Sequence, residues 1–498
     1  MNLPAKTYIP NSPGTVFDEP AFTYAGGLND EYLTPAGTPH QVATRLHHYL
    51  TSLSHTELVS EKDLLREKVA YHPLSSTSYQ PSLKESEHWS LDPLPHVIHH
   101  NQWQGVQQGI TQRISALNMF IEDIHNKQHI LHDHVLPEKL LEKLSRQYVS
   151  ADSPASNEYN CVNDKLVWAS TDIVRDANGQ YHASGHNLCN PGNVAHMLAN
   201  RQLMKNTSSA PFVDSSVLPI DDFPIQLHDA LTALSPNNTA RIGILTNGID
   251  CPQYAQMSYL ARQLGGLLVE PRDLFISSSE GYLYADTLDQ SQRIDVLLLG
   301  DDDPNAAIPG QESYPITDVA DLLSCWKNGK VALANAPSTR IASNPIVLSY
   351  LPELISYYLN ENILLPAVTT YRCKDDHALA YVLDHMDEMV IHGTNDNGKI
   401  ATFKAQVASR DEKQRMFKRI NEQPYNFVAN PISTTSTAPT VTDTGLHPLS
   451  VTVTAYSVHN TEPYVTEGGL TRLGSDPNIK ADDTTRSQHT KDTWVVEC

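Results

Sequence analysis

Basic residues are scarce in this chain. Only 35 Lys and Arg stand against 57 Asp and Glu in 498 residues, a formal charge of −22. Charged residues of both signs make up 18%, below the roughly 25% of ordinary proteins. The acidity therefore reflects missing bases rather than added acids. Duplex nucleic acid and anionic membrane both demand concentrated Lys and Arg, so neither is expected as a partner. A small anion held by a few local groups remains compatible with that charge.

Cysteine is also sparse. Cys161, Cys189, Cys251, Cys325, Cys373 and Cys498 include no closely spaced pair, so a zinc ribbon or a redox pair is not expected, and free thiols in a reducing compartment are. No stretch approaches the roughly 18 apolar residues of a membrane span. The richest run, Val296-Leu297-Leu298-Leu299, is strand-sized, and Met1-Asn2-Leu3-Pro4 does not open a signal peptide. A cytoplasmic location is the expectation. The GxGxxG and GxxxxGK[ST] phosphate loops and the GxSxG nucleophile elbow do not occur.

With 40% hydrophobic residues, the chain can build a core, and its length suits two to four domains or one composite fold. Four parts are expected: a Pro/Ser/Thr-rich arm over 1–87 with a helical patch at 41–53, a helical and hairpin part over 88–235, an α/β unit over 236–345, and a last part over 346–498. Val106, Ile110, Ile114, Leu117, Phe120 and Ile121 recur at helical spacing and predict a helix with a buried stripe. A second helix is expected beyond Pro137 through Leu140, Leu141 and Leu144, and another over 194–204. Asp176-Ala177-Asn178-Gly179 predicts a hairpin turn.

Residues 240–301 read as strand, helix and strand, with Gly265-Gly266 stopping the helix. A right-handed crossover then gives a parallel sheet. Helices are expected over 346–359 and 378–386, paired strands over 389–391 and 400–405 around Asp396-Asn397-Gly398, and further strands over 449–457 and 493–496.

Candidate chemistry is thin. Glu122, His125, His129 and His132 have helical spacing, but no HExxH pattern, and a solvated face is the expectation. Asp301-Asp302-Asp303 follows a buried strand, at the edge where open α/β sheets bind ligands; these carboxylates suit Mg²⁺ or simply form a solvated turn before Pro304. Arg472, after Gly468-Gly469-Leu470-Thr471, suits a phosphate or an acyl-phosphate transition state, or else a surface ion pair.

Several segments together resemble one family. They are Leu91-Asp92-Pro93-Leu94-Pro95, Thr171-Asp172-Ile173-Val174-Arg175-Asp176, Asn187-Leu188 with Pro191, Asn200-Arg201, Tyr259-Leu260-Ala261-Arg262-Gln263 and Glu270-Pro271-Arg272-Asp273-Leu274. Later come Ala332-Leu333-Ala334-Asn335-Ala336-Pro337, Tyr350-Leu351-Pro352-Glu353, Gly468 to Arg472 and Lys491-Asp492-Thr493-Trp494. Over roughly 88–498 the chain resembles the circularly permuted ATP-grasp proteins of the type 2 branch, relatives of glutathione synthetase-like and glutathionylspermidine synthetase-like ligases. The resemblance implies an α/β (α+β composite) fold, with a parallel pre-ATP-grasp sheet and a helical N-terminal region, that clasps ATP and Mg²⁺. It implies phosphorylation of a carboxylate and attack by an amine. On these positions Arg472 is the implied catalytic residue. His392, Lys399 and Lys491 are the implied ATP contacts, and Asp301, Asp302, Asp483 and Asn187 the implied metal ligands.

The departures are local. Gly185-His186-Asn187 stands where the family shows Glu-Asp-Asn, and Ser343-Asn344-Pro345 where it shows Asp-Asp-Lys. His392-Gly393 and Asn397-Gly398-Lys399-Ile400 replace Lys-Pro and the Gly-Gly-Tyr-Gly loop; Val453-Thr454-Ala455-Tyr456 replaces Leu-Arg-Pro-Phe. Asp483 replaces an Asn, and Ser487-Gln488-His489 replaces glycines that bring backbone N–H groups to phosphate. A charge-assisted hydrogen bond contributes about 1.5–3 kcal/mol, while micromolar affinity is only about 8 kcal/mol in all. The expected function is therefore a catalytically degraded ATP-grasp protein, a scaffold or regulatory partner of a ligase. The alternative is an ATP- and Mg-dependent carboxylate–amine ligase acting through an acyl phosphate on a small-molecule or peptide substrate.

Overall fold

The computed structural model describes residues 24–75, 89–140, 165–300, 321–394, 400–474 and 489–497, apart from short gaps inside these ranges. Most of the helix expected beyond Pro137 and the turn expected at 396–398 lie outside them, as do Asp301, Asp302, Lys399 and Asp483.

Strands whose central members are buried on both faces build a large sheet in the order β1 (Ser90–Leu91), β19 (His489–Val496), β18 (Tyr464–Leu473), β17 (Gly445–Val458), β3 (Trp168–Arg175), β4 (Tyr181–Asn187). Two strands branch off this path: β2 (His96–His99) pairs with β19, and β16 (Thr437–Thr442) pairs with β17. Because successive side chains point to opposite faces, this sheet divides two cores. Trp168, Tyr456, Leu470 and Trp494 face one core. It also takes residues from α2 (His55–Ala70), α4 (Val194–Thr207), α5 (Phe223–Thr232) and α6 (Tyr254–Leu264). Ala169, Ile173, Val453, Ala455 and Val495 face the other core with α3 (His100–His125). The apolar stripe read from Val106 to Ile121 is the buried side of α3.

The parallel sheet runs β11 (Ala332–Ala334), β10 (Val296–Leu299), β5 (Ile242–Leu245), β6 (Leu267–Val269). All four residues of β10 are buried, as a central parallel strand requires. Gly265 ends α6 at φ 62°, a left-handed turn that glycine adopts without steric cost. A three-stranded antiparallel sheet, β7 (Leu274–Ile276), β8 (Leu283–Asp286), β9 (Ser291–Arg293), flanks this unit.

A smaller antiparallel sheet follows: β12 (Tyr371–Arg372), β15 (Phe427–Pro431), β13 (Met389–Thr394), β14 (Ile400–Lys404). Its own core joins Ile391, Met389 and Phe427 to α9 (Asp376–Asp384) and α10 (Arg410–Glu422). The helix expected over 346–359 is two helices, α7 (Pro345–Leu348) and α8 (Leu351–Leu359). Pro352 lies in the first turn of α8; lacking an N–H, it cannot continue the preceding helix. Near the start of the described chain, α1 (Thr44–Ser52) packs Leu46 and Leu50 with Leu94 and Val441.

Candidate functional site

Three bodies meet at the end of β4. Asn187 accepts hydrogen bonds on its side-chain oxygen from the backbone N–H of Cys189 and Asn190, both at 3.1 Å, and donates to the Asn190 carbonyl at 2.7 Å. The loop this forms reaches the C-terminal edge of the parallel sheet, where the Asn190 amide donates to the Gly300 carbonyl and to Gln253 Oε1 at 3.2 Å. The Asn190 side-chain oxygen is buried and has no hydrogen-bond partner. Leu188 N donates to Ser343 Oγ at 3.3 Å, and Asn344 Nδ2 donates to Thr394 Oγ1 at 3.2 Å, which ties the same corner to the end of β13.

Asn335 secures the corner from below. Its Nδ2 donates to the carbonyls of Trp168 (2.7 Å) and Leu188 (2.8 Å), and its Oδ1 accepts from the N–H groups of Val167 (2.8 Å) and Trp168 (3.1 Å). Only an amide side chain supplies both two donors and an acceptor there.

Register places one row of polar groups across the large sheet. Asp172 on β3 stands opposite Thr454 on β17 and Gly185 on β4, and Arg472 on β18, opposite Thr452, reaches Asp172 diagonally. Arg472 pairs with Asp172 Oδ1 at 2.7 Å, and Thr454 Oγ1 donates to the same oxygen at 2.6 Å. The Asp172 charge raises the already high pKa of Arg472. Arg472 Nε is buried with no partner.

The opposite face of β3 carries a second group. Thr171 Oγ1 lies 3.0 Å from His186 Nδ1, and Arg113 Nε donates to His186 Nε2 at 2.9 Å. Arg113 Nη1 donates to the Leu365 carbonyl at 2.7 Å, on the chain that leads into the small sheet. Arg113 has no acidic partner among the described residues, and burial pushes its pKa down to about 9. Burial, reinforced by the Arg113 charge, drives His186 well below the ordinary histidine range, so it is neutral and accepts that bond.

The expected site residues thus fall in different settings. Asn187 and Arg472 share the large sheet. His392 lies on β13, with Nδ1 3.1 Å from Thr402 Oγ1. Its pKa is lowered by burial, so at neutral pH it is uncharged rather than a cation for phosphate. Lys491, on β19, is fully buried: its ammonium donates to Asp92 Oδ1 (2.6 Å) and to the carbonyls of Leu94 (3.0 Å) and Pro439 (2.8 Å). All three of its donors are engaged inside the protein. Asp301, Asp302, Lys399 and Asp483 lie outside the described residues. Among the described residues no three His, Cys, Asp or Glu gather as metal ligands.

ATP with Mg²⁺ is what the fold implies here. The described donor set fits it poorly: one arginine already neutralised by Asp172, one neutral histidine, and one lysine turned inward. Sequence reading missed Asp172, Asn190 and Arg113, for which the only local signal was the change from acids to Gly185-His186 beside Asn187. It also missed that Asn200-Arg201 and Lys491-Asp492-Thr493-Trp494 are partners. Arg201 Nε bonds Asp492 at 2.8 Å, Asn200 Nδ2 donates to Thr490 Oγ1 at 3.1 Å, and Trp494 Nε1 donates to Asp492 at 2.7 Å.

A large sheet and a small antiparallel sheet tied at one corner, with a parallel sheet presenting its C-terminal edge to it, suit a composite α/β fold of the ATP-grasp kind. The chain belongs to the circularly permuted ATP-grasp type 2 family, whose pattern matches residues 95–474. It is 31% identical over 485 residues to an uncharacterized protein of Synechocystis sp., covering 95% of this chain and 98% of that one. It is 26% identical over 414 residues to a Frankia alni protein named as a candidate glutamate–cysteine ligase; that match covers 82% of this chain but only 47% of the Frankia protein. Its fold is similar to that of a glutathione synthetase-like effector from Globodera pallida, with a TM-score of 0.53 at 10% identity over 89% of this chain and 97% of that one. No described helix is long and apolar enough to cross a membrane.

Proposed function

We propose that this ATP-grasp protein no longer transfers phosphate and serves as a scaffold or regulatory partner of a ligase, acting in the cytoplasm. The observation that supports this reading most directly is the saturation of its cations: Arg472 is held by Asp172 and Lys491 by Asp92. Freeing Arg472 for a phosphate means breaking an ion pair at 2.7 Å, and removing Lys491 from its site strands a buried carboxylate. In this reading the unit over 236–345 and the core over 346–498 keep their folded form for docking, with the arm over 1–87 and the part over 88–235 completing the body.

The experiment is calorimetric titration of the full chain with ATP–Mg²⁺, followed by an ADP-release assay. The expected result is no binding at millimolar ATP. Tight binding with ADP release on adding glutamate and cysteine, the substrates suggested by the name of the Frankia relative, would overturn it.

A second reading is an active ATP- and Mg-dependent carboxylate–amine ligase. Arg472 and Asn187 persist on the large sheet, and the unpartnered oxygen of Asn190 stands beside the strand end that leads to Asp301. If that reading holds, Arg472→Ala abolishes turnover.

A further inference from the structure

Next to the corner just described, a cavity of about 420 Å³ separates the α7–α8 pair from the β12–β15 edge of the small sheet. That volume falls within the roughly 300–1,000 Å³ of pockets that take small organic molecules. Ile346 and Val428 supply apolar wall, and Tyr350 and Tyr425 supply aromatic wall. Asp172, Asn187, His392 and Arg472 do not line it.

Two of its three charged lining residues, Arg372 and Lys374, are basic, and Glu422 is the acid. The Arg372 guanidinium lies 4.5 Å from the centre of the Tyr350 ring and is neutralised by Glu353 at 2.6 Å, with Asp375 at 3.8 Å. Glu422, also at the rim, is 3.7 Å from Lys418. Lys374 places its ammonium 4.8 Å from the centre of the same Tyr350 ring and has no acidic partner among the described residues. One half-buried cation is therefore left facing an aromatic cavity.

We propose that this cavity binds a small planar organic anion, with its ring between Tyr350 and Tyr425 and its carboxylate on Lys374. Aromatic side chains give a flat molecule a large contact area, and an ammonium without a carboxylate partner supplies the complementary charge. Tyr350 belongs to the helical connection from the large body, whereas Arg372 and Val428 belong to the small sheet and Lys374 to the turn after β12. A bound molecule spans both and fixes one against the other, which is what an effector site does. That consequence rests on the regulatory reading above; the binding itself does not.

The test is fluorescence and calorimetric titration of the full chain with 8-anilinonaphthalene-1-sulfonate, a planar aromatic anion, in the absence of nucleotide. A single saturable site is expected, displaced by naphthoate, an aromatic carboxylate, and not by inorganic phosphate at equal concentration. Lys374→Met should weaken it about tenfold, the loss of one charge-assisted contact, while Lys413→Met, a base outside the cavity, leaves it unchanged. Ile346→Trp, which fills the cavity, should remove it; if that variant does not fold, the Lys374 and Lys413 pair alone decides. Unaltered affinity in Lys374→Met overturns the proposal. So does equal displacement by phosphate. Displacement by ATP–Mg²⁺ overturns it as a separate site, whereas ATP binding without displacement sinks only the degraded-enzyme reading.

Discussion

Lys491 separates the two accounts of this protein most cleanly, because one residue is asked either to hold the fold or to hold phosphate. Replacing it by Met removes an ammonium that is 0% exposed and faces a carboxylate that is also 0% exposed. Asp92 keeps the amides of Leu94 and Val441, at 2.9 and 2.8 Å, but loses its counter-charge. The carbonyls of Leu94 and Pro439 each lose a donor. Breaking a buried pair from one side costs about 3–5 kcal/mol, and each stranded carbonyl costs about 1–3 kcal/mol. The terms overlap, so a net loss of about 4 kcal/mol is expected.

The assay is urea unfolding followed by tryptophan fluorescence, since Trp494 is buried three residues along the same strand. The midpoint should fall with the slope unchanged. The double variant Asp92→Leu, Lys491→Met removes both charges and should regain part of the loss, a coupling of about 1–3 kcal/mol. The reasoning fails if Lys491→Met unfolds within about 1 kcal/mol of the parent. If that variant also loses ATP binding, Lys491 turns toward phosphate in the working protein.

Gly109→Ala should destabilise despite a helix-propensity gain of about 1 kcal/mol. The new Cβ would stand 2.3 Å from Leu365 Cβ and 3.0 Å from the Leu365 backbone nitrogen, so overpacking of about 1–3 kcal/mol wins; a raised melting temperature would refute this. His196, buried beside Trp89, has its pKa pushed down to about 3 by burial and then by the His72 charge. Its folded value lies below the unfolded value of about 6.5, so the unfolded chain takes the proton first. Stability present above about pH 6.5 is then lost as pH falls toward 3, by about 2 kcal/mol at pH 5. His196→Gln should flatten the decline in urea midpoint between pH 7 and 5, and an unchanged slope would count against it. Asn335→Ala should cost about 3 kcal/mol by leaving buried Trp168 and Leu188 groups unpaired, read as an earlier unfolding midpoint; a neutral result would mean water replaces the clamp.

The elements that could be read in advance carry a strong period, an unbroken apolar run or a turn signal. The stripe of α3, the four buried residues of β10, the glycine stop after α6 and the paired strands β13 and β14 all belong to this group. What escaped has another cause. Of α10, only Met416 and Ile420 are buried, too few to print a period. The break at Tyr350 depends on a single proline. The site was less legible than the fold because its pairings are non-local. Asp172 meets Arg472, and Asn187 closes against Asn190 beside Gly300, across strands whose register no short window of sequence records. The permuted ATP-grasp fold followed from the order of many short segments, while the setting of Lys491 depended on a partner 399 residues away.

That separation bears on how the protein comes to exist. The strand β19 does not close an edge of the large sheet; it lies inside it, with β18 on one side and the early strands β1 and β2 on the other. During synthesis, β1 and β2 emerge roughly 400 residues before the strand they pair with. Until then, β1 and β2 lack the strand they pair with and show open edges, a template for unwanted pairing, and loop closure over that length makes assembly slow. The parallel sheet, whose strands fall between residues 242 and 334, needs no such wait. Refolding should therefore show the α/β unit forming early and the large sheet last.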